Sequence, residues 1–169
     1  MPDWLTYVLS AWVLCEVAFL LGVRDARRYI GAAALGAVLP DIVKGFFLLK
    51  TLTGLDLIAF SVPFATPVGA LLVVGLVSLF FEKDEIRRVA SYTMAGAIAH
   101  LVWDLTLHPY GGGTLVLFPL SFQQYSLGLI WSDSILPLLL IGLPALLLAV
   151  RRVLVEGSPF SVSRTRRGL

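Results

Sequence analysis

Five ionisable side chains stand inside long apolar runs of this chain: Glu16, Asp41, Lys44, His100 and Asp104. A charge in hydrocarbon is costly, so each such residue is a functional candidate by default. Asp41 lies in the string GAVLPDIVK, and His100 and Asp104 lie in HLVWD. His100 and Asp104 are four apart, which stacks them one turn from each other on one helix face, and His108 extends that stripe if the helix runs on to Pro109. Imidazole and carboxylate together suit zinc, manganese or iron, so His100, Asp104 and His108 facing Asp41 could hold a divalent cation. The same residues also make a purely structural network, with His100 bonded to Asp104 and Asp41 paired with Lys44, because intramembrane polar groups pair with one another. Spacing alone leaves both readings open. Glu16 has no evident partner in the sequence and reads as a structural or protonated carboxyl.

The elements that must position these groups are set by composition. Of 169 residues, 58% are hydrophobic and 14% charged, with a mean hydropathy of +0.89; an average soluble chain has roughly 45–50% apolar and about 25% charged residues. Lipid is the expected solvent. The expected fold is an all-α integral membrane protein of about five transmembrane helices, in one domain over 1–155 with a short basic cytoplasmic tail over 156–169. The apolar runs place spans at Trp4 to Gly22, Tyr29 to Leu49, Phe64 to Phe81, Val89 to Leu107 and Ile135 to Val150. The first run has neither a basic leader nor a small-residue cleavage site, so it reads as a retained span. Pro109 to Ser132, which mixes Gly111, Gly112 and Gly113 with aromatics, Gln123 and Gln124, reads as an interfacial or re-entrant segment. The four tryptophans stand mostly near span ends, as interfacial anchors do.

Orientation follows from the basic residues. Of thirteen, all but Lys44 and Lys50 fall on one side of a five-span chain: Arg24, Arg27, Arg28, Lys83, Arg87, Arg88, Arg151, Arg152, Arg164, Arg166 and Arg167. The positive-inside bias then puts the amino terminus outside and the tail in the cytoplasm, where its arginines attract membrane lipids. No basic patch with interleaved aromatics points to nucleic acid. The lone Cys15 excludes a disulfide framework and reads as a small buried hydrophobe. Ala32 to Asp41 and Ala95 to Asp104 also form a faint repeat, small residues leading through apolar ones to an aspartate; this is the pattern of a duplicated helical hairpin, although Ala/Gly-rich membrane helices produce such matches by chance.

The strings MPDWLTY, LGAVLPD, ATPVGALL and GAIAHLVWDLTLHPYGGGTLVLFPLS together resemble the membrane-bound metal-dependent hydrolases, the type named for a LexA-regulated inner-membrane protein. The resemblance runs to about Tyr125 and implies a prokaryotic protein of the plasma membrane with a metal near one membrane face. It assigns Asp41 to the LPD aspartate, His100 and Asp104 to HLxxD, Pro109, Tyr110 and Gly111 to PYG, and Phe118 with Pro119 to the WPF turn. Two positions depart from the family: Tyr7 stands where LTH has histidine, and Ala65 where HTP does. The remaining Asp, His and Asp still match a three-ligand catalytic site, with Asp3 or His108 as substitutes, while the loss of two imidazoles moves the preference towards magnesium, calcium or manganese, or abolishes binding.

Three functions follow. The first is a metal-dependent hydrolase in which zinc, manganese or magnesium on Asp41, His100 and Asp104 activates water against an ester or phosphoester of a lipid-like or envelope substrate. The second is a degenerate relative that serves as a non-catalytic membrane partner or assembly subunit. The third is a small transporter using the same acids.

Overall fold

The computed structural model describes residues 4–57, 60, 62–108, 113–131 and 133–156. Helix α1 (Trp4–Leu20) ends at Gly22, whose φ of +100° turns the chain. A 3₁₀ turn (Ala26–Tyr29) leads into α2 (Ile30–Val38). Pro40 has no N–H and its ring obstructs the carbonyl one turn back, so the α-helical ladder stops. Leu39–Asp41 form a second 3₁₀ turn, and α3 (Ile42–Thr53) resumes at a 53° bend. Gly54 closes α3 in the left-handed region, its N–H bonded to the Lys50 carbonyl.

After a 3₁₀ turn (Val62–Ala65), Thr66 caps α4 (Pro67–Ser78), its Oγ1 accepting from Gly69 N at 3.1 Å, with Pro67 in the first turn. Helix α5 (Lys83–Thr106) starts with Asp84 and Glu85 against the positive end of its dipole. Helix α6 (Leu136–Glu156) packs on α1. Between α5 and α6, two-residue strands β1 (Leu107–His108) and β2 (Ile130–Trp131) pair in parallel. Leu127 N and Leu129 N bond the carbonyls of Leu105 and Thr106, so this segment folds back over the end of α5.

Mostly helical architecture is as expected, but the span count differs. Among the described residues only α6 is by itself long and apolar enough to cross a bilayer, with the bent pair α2–α3 as a second candidate. The reasons are local. Proline breaks the second run, α4 has 12 residues and thus a rise of roughly 18 Å, and α5 spends its first turn on charge and its length on Thr93, His100 and Asp104. Helix α1, at 17 residues, is apolar but short.

Among the described residues the interior mixes small apolar side chains such as Ala11, Ala33, Ala37, Ala70 and Ala97 with polar ones. Thr6, Ser10, Glu16, Asp41, Thr66, Ser78, Thr93 and His100 are buried, whereas Leu71, Leu72, Leu76, Leu143, Leu146 and Leu147 are exposed. Small residues bring the helices together: a Cβ on Gly96 would lie 1.9 Å from the Ala33 carbonyl oxygen, and one on Gly36 would lie 1.9 Å from that of Thr93.

The α2–α5 seam has a fixed register. Asp25 pairs with Arg88 at 3.5 Å, Tyr29 stacks on Tyr92 at 5.1 Å, Gly96 abuts Ala33, and His100 meets the Ala37 carbonyl. Every pair is 63 residues apart and each step is four residues. A constant offset over these four pairs means that the two segments run parallel and side by side. The offset carries into the flanking helices, where Tyr7, Ala11 and Cys15 of α1 and Ala70, Val74 and Ser78 of α4 are all buried.

Candidate functional site

The seam ends, one step further along, at Asp41 and Asp104. Asp41 sits in the 3₁₀ break between α2 and α3, where the chain leaves helical geometry because of Pro40. His100 and Asp104 lie one turn apart near the end of α5. His100 is 1% exposed; its Nε2 lies 3.1 Å from Asp104 Oδ2 and 4.0 Å from Asp41 Oδ1. The three residues singled out by sequence thus converge.

The rest of the site comes from the chain's own donors. His100 Nδ1 lies 2.7 Å from the Ala37 carbonyl. A carbonyl only accepts, so Nδ1 carries a proton and Nε2 is the nitrogen that faces the carboxylates. The short Nε2–Asp104 contact then requires a further proton, on the ring or on the carboxyl. Tyr7 Oη donates to Asp104 Oδ1 at 2.6 Å, and the Tyr7 ring lies flat on the His100 imidazole with centroids 3.9 Å apart. Lys44 Nζ is ion-paired with Asp41 Oδ2, one turn along α3, and lies 5.5 Å from the centre of the Tyr7 ring. The structural alternative from the sequence, His100 with Asp104 and Asp41 with Lys44, is therefore present in both its parts.

Two residues take a place that sequence reasoning did not give them. Tyr7 was readable only as a missing histidine, yet it is fully buried and touches both His100 and Asp104. Ala37 enters through its backbone, which no side-chain pattern reveals. His108 does not extend the stripe: α5 stops at Thr106, and the His108 ring stacks on Trp131 at 4.4 Å instead. Ala65, in the turn before α4, offers no donor side chain. Asp3, Pro109, Tyr110 and Gly111 lie outside the described residues. Trp103, expected as an interfacial anchor, donates its Nε1–H to Ser10 Oγ at 2.8 Å, and both residues line an apolar cleft of about 510 Å³ together with Leu14, Ile98, Val102 and Ile141.

Glu16, which had no partner in the sequence, has two. Arg27 reaches its Oε2 at 2.6 Å and Arg152 of α6 its Oε1 at 2.9 Å. This buried carboxylate ties α1 to α6, and the 136-residue separation of Glu16 and Arg152 hid it from local reading.

A divalent ion fits these residues poorly. Among the described residues no group of three or more His, Cys, Asp or Glu is arranged to hold a metal. Asp41 is already neutralised by Lys44, and Asp104 accepts from the Tyr7 hydroxyl beside His100. A cation on Asp41 would stand close to the Lys44 ammonium, and like charges about 4 Å apart repel by about 4 kcal/mol at an effective dielectric near 20. Comparison with family models, with curated proteins and with solved structures finds no match in any of the three.

Proposed function

We propose that the chain is a non-catalytic integral membrane protein, a membrane partner or assembly subunit, whose polar cluster locks two halves of the bundle together. One observation carries this reading: the carboxylates of the cluster are met by donors from the chain itself, Lys44 on Asp41 and Tyr7 with His100 on Asp104. A pocket satisfied from within gives water no metal to bind and leaves no carboxylate free to act as base.

The many exposed leucines of α4 and α6 support the bilayer as solvent, since a soluble monomer rarely exposes large apolar patches. Helices too short to span alone then lie within the bilayer by packing on their neighbours, and their small-residue contacts are those that membrane helices use. The 63-residue register supports a duplicated hairpin, α1–α2 and α4–α5, with parallel repeats meeting at the seam. On this reading the arginines of the Glu16 cluster face the cytoplasm, and Asp41 with Asp104 lies towards the outer face of a prokaryotic plasma membrane.

The hydrolase reading keeps one specific support. A backbone carbonyl on Nδ1 that turns Nε2 towards carboxylates is how proteins orient metal-binding histidines. The two readings separate on elemental analysis of protein purified without chelators. The partner reading expects no stoichiometric metal and no loss of thermal stability in EDTA; one equivalent of metal that disappears in Asp104→Ala would replace it with the hydrolase.

A further inference from the structure

We infer that a pocket at the arginine end of the α2–α5 seam binds one phospholipid whose headgroup carries both a phosphate and a primary ammonium, as phosphatidylethanolamine does. The inference rests on the bilayer placement proposed above and not on the closed polar cluster, which lies at the other end of the seam. The pocket has a volume of about 300 Å³ and lies between α2, α5 and the end of α4. It is graded along its length. Arg28 and Glu85, ion-paired across the seam, stand at its rim. Ala32, Leu35, Val77, Phe81 and Val89 form its wall. Glu85, Val89 and Thr93 follow one another at four-residue steps, so this face of α5 runs for roughly 12 Å.

Two features point to a ligand of this chemistry. The first is a pair of buried hydroxyls, Tyr29 Oη and Thr93 Oγ1, on residues that both line the pocket. Among the described residues these are the buried side-chain polar atoms that have no hydrogen-bond partner. Tyr29 has the Arg88 guanidinium as a charged neighbour but no well-formed hydrogen bond to it. A buried hydroxyl without a partner is costly, and the phosphate and ester oxygens of a glycerophospholipid are acceptors for both. The second feature is charge. The side chains of Arg28 and Glu85 are 66% and 31% exposed, so their own pairing is weak. A zwitterion laid across them sets its phosphate on the guanidinium and its ammonium on the carboxylate, and each ion gains a charge-assisted bond. The neighbouring pair, Arg88 with Asp25, is also of opposite sign, so the rim gives an anionic headgroup no net attraction. A choline nitrogen has no N–H to offer the carboxylate. Gly31 leaves the pocket open, since a Cβ there would meet nothing within 4 Å.

The test titrates the full chain in detergent, stripped of co-purified lipid, with phosphatidylethanolamine, phosphatidylglycerol or phosphatidylcholine of the same acyl chains, and reads bound lipid by native mass spectrometry. Wild type is expected to hold one phosphatidylethanolamine at least about tenfold more tightly than either of the others. Glu85→Gln is expected to erase that preference. Thr93→Val is expected to weaken phosphatidylethanolamine binding about tenfold while melting no lower than wild type without lipid. Gly31→Leu fills the pocket and is expected to abolish binding, whereas Gly45→Leu, on α3 and equally unhindered, is expected to retain it. If Gly31→Leu binds as wild type does, or wild type takes the three lipids alike, the inference is overturned while the membrane reading stands. A chain that stays monodisperse without detergent overturns both. Should Gly31→Leu fail to fold, Glu85→Gln and Thr93→Val decide, and unchanged binding in both overturns the inference.

Discussion

Tyr7→Phe removes one oxygen atom and leaves the aromatic ring. The hydroxyl donates to Asp104 Oδ1 at 2.6 Å, and the ring stacks on His100 at 3.9 Å. The variant therefore isolates the hydrogen bond from the packing. A bond to a charged acceptor contributes about 1.5–3 kcal/mol, and its loss leaves a carboxylate oxygen short of a donor. Asp104 is only partly exposed, at 17% of its side chain, so water replaces the lost donor incompletely. For a chain of this size about 1 kcal/mol moves Tm by about 2–4 °C. The expected loss is therefore about 3–12 °C, read by thermal unfolding of wild type and variant in the same detergent through the four tryptophans. If Tyr7 instead stood where a bound metal organises the site, wild type would lose Tm in EDTA and the variant would change little. A Tyr7→Phe protein that melts with wild type, within replicate error, refutes the closed-network account.

Three further outcomes are expected. Gly96→Ala places a methyl group against the Ala33 carbonyl and must push α2 from α5, costing about 1–3 kcal/mol or more, whereas Gly45→Ala meets nothing within 4 Å and should leave Tm unchanged or higher. Glu16→Gln leaves Arg27 and Arg152 facing each other without their shared carboxylate; loss of one member of a buried pair costs up to about 3–5 kcal/mol, less here because Arg152 is partly exposed, and α6 should become more accessible to protease. Wild-type Tm should not move on addition of EDTA, and a drop on chelation would reopen the metal reading.

Much of the site was legible from residue type. Charge in an apolar run is rare enough that Asp41, His100 and Asp104 declared themselves, and helical spacing paired the last two. Their convergence is carried by the seam, where residues 63 apart stand side by side. What stayed hidden depends on tertiary approach. Tyr7 comes from a helix that offers no polar partner for His100 in its spacing, Ala37 contributes only a carbonyl, and Arg152 reaches Glu16 across almost the whole chain. His108 was misplaced because α5 passes into extended backbone at Leu107, two residues before Pro109, whose ring disfavours helix at the residue preceding it. Five apolar runs did become helices, but hydropathy reports apolar length and not continuity. It did not register that Pro40 would split the second run, or that a capped start at Thr66 would shorten the third.

The central claim is that Lys44, and no metal, neutralises Asp41 beside His100. An experimental structure of the full chain in lipid, purified with zinc present and recorded with anomalous scattering at the zinc edge, tests it most directly. The account predicts the Lys44 ammonium on Asp41, the Tyr7 hydroxyl on Asp104, and no anomalous peak near His100 Nε2. A peak about 2 Å from that nitrogen, with Lys44 turned away, would contradict it.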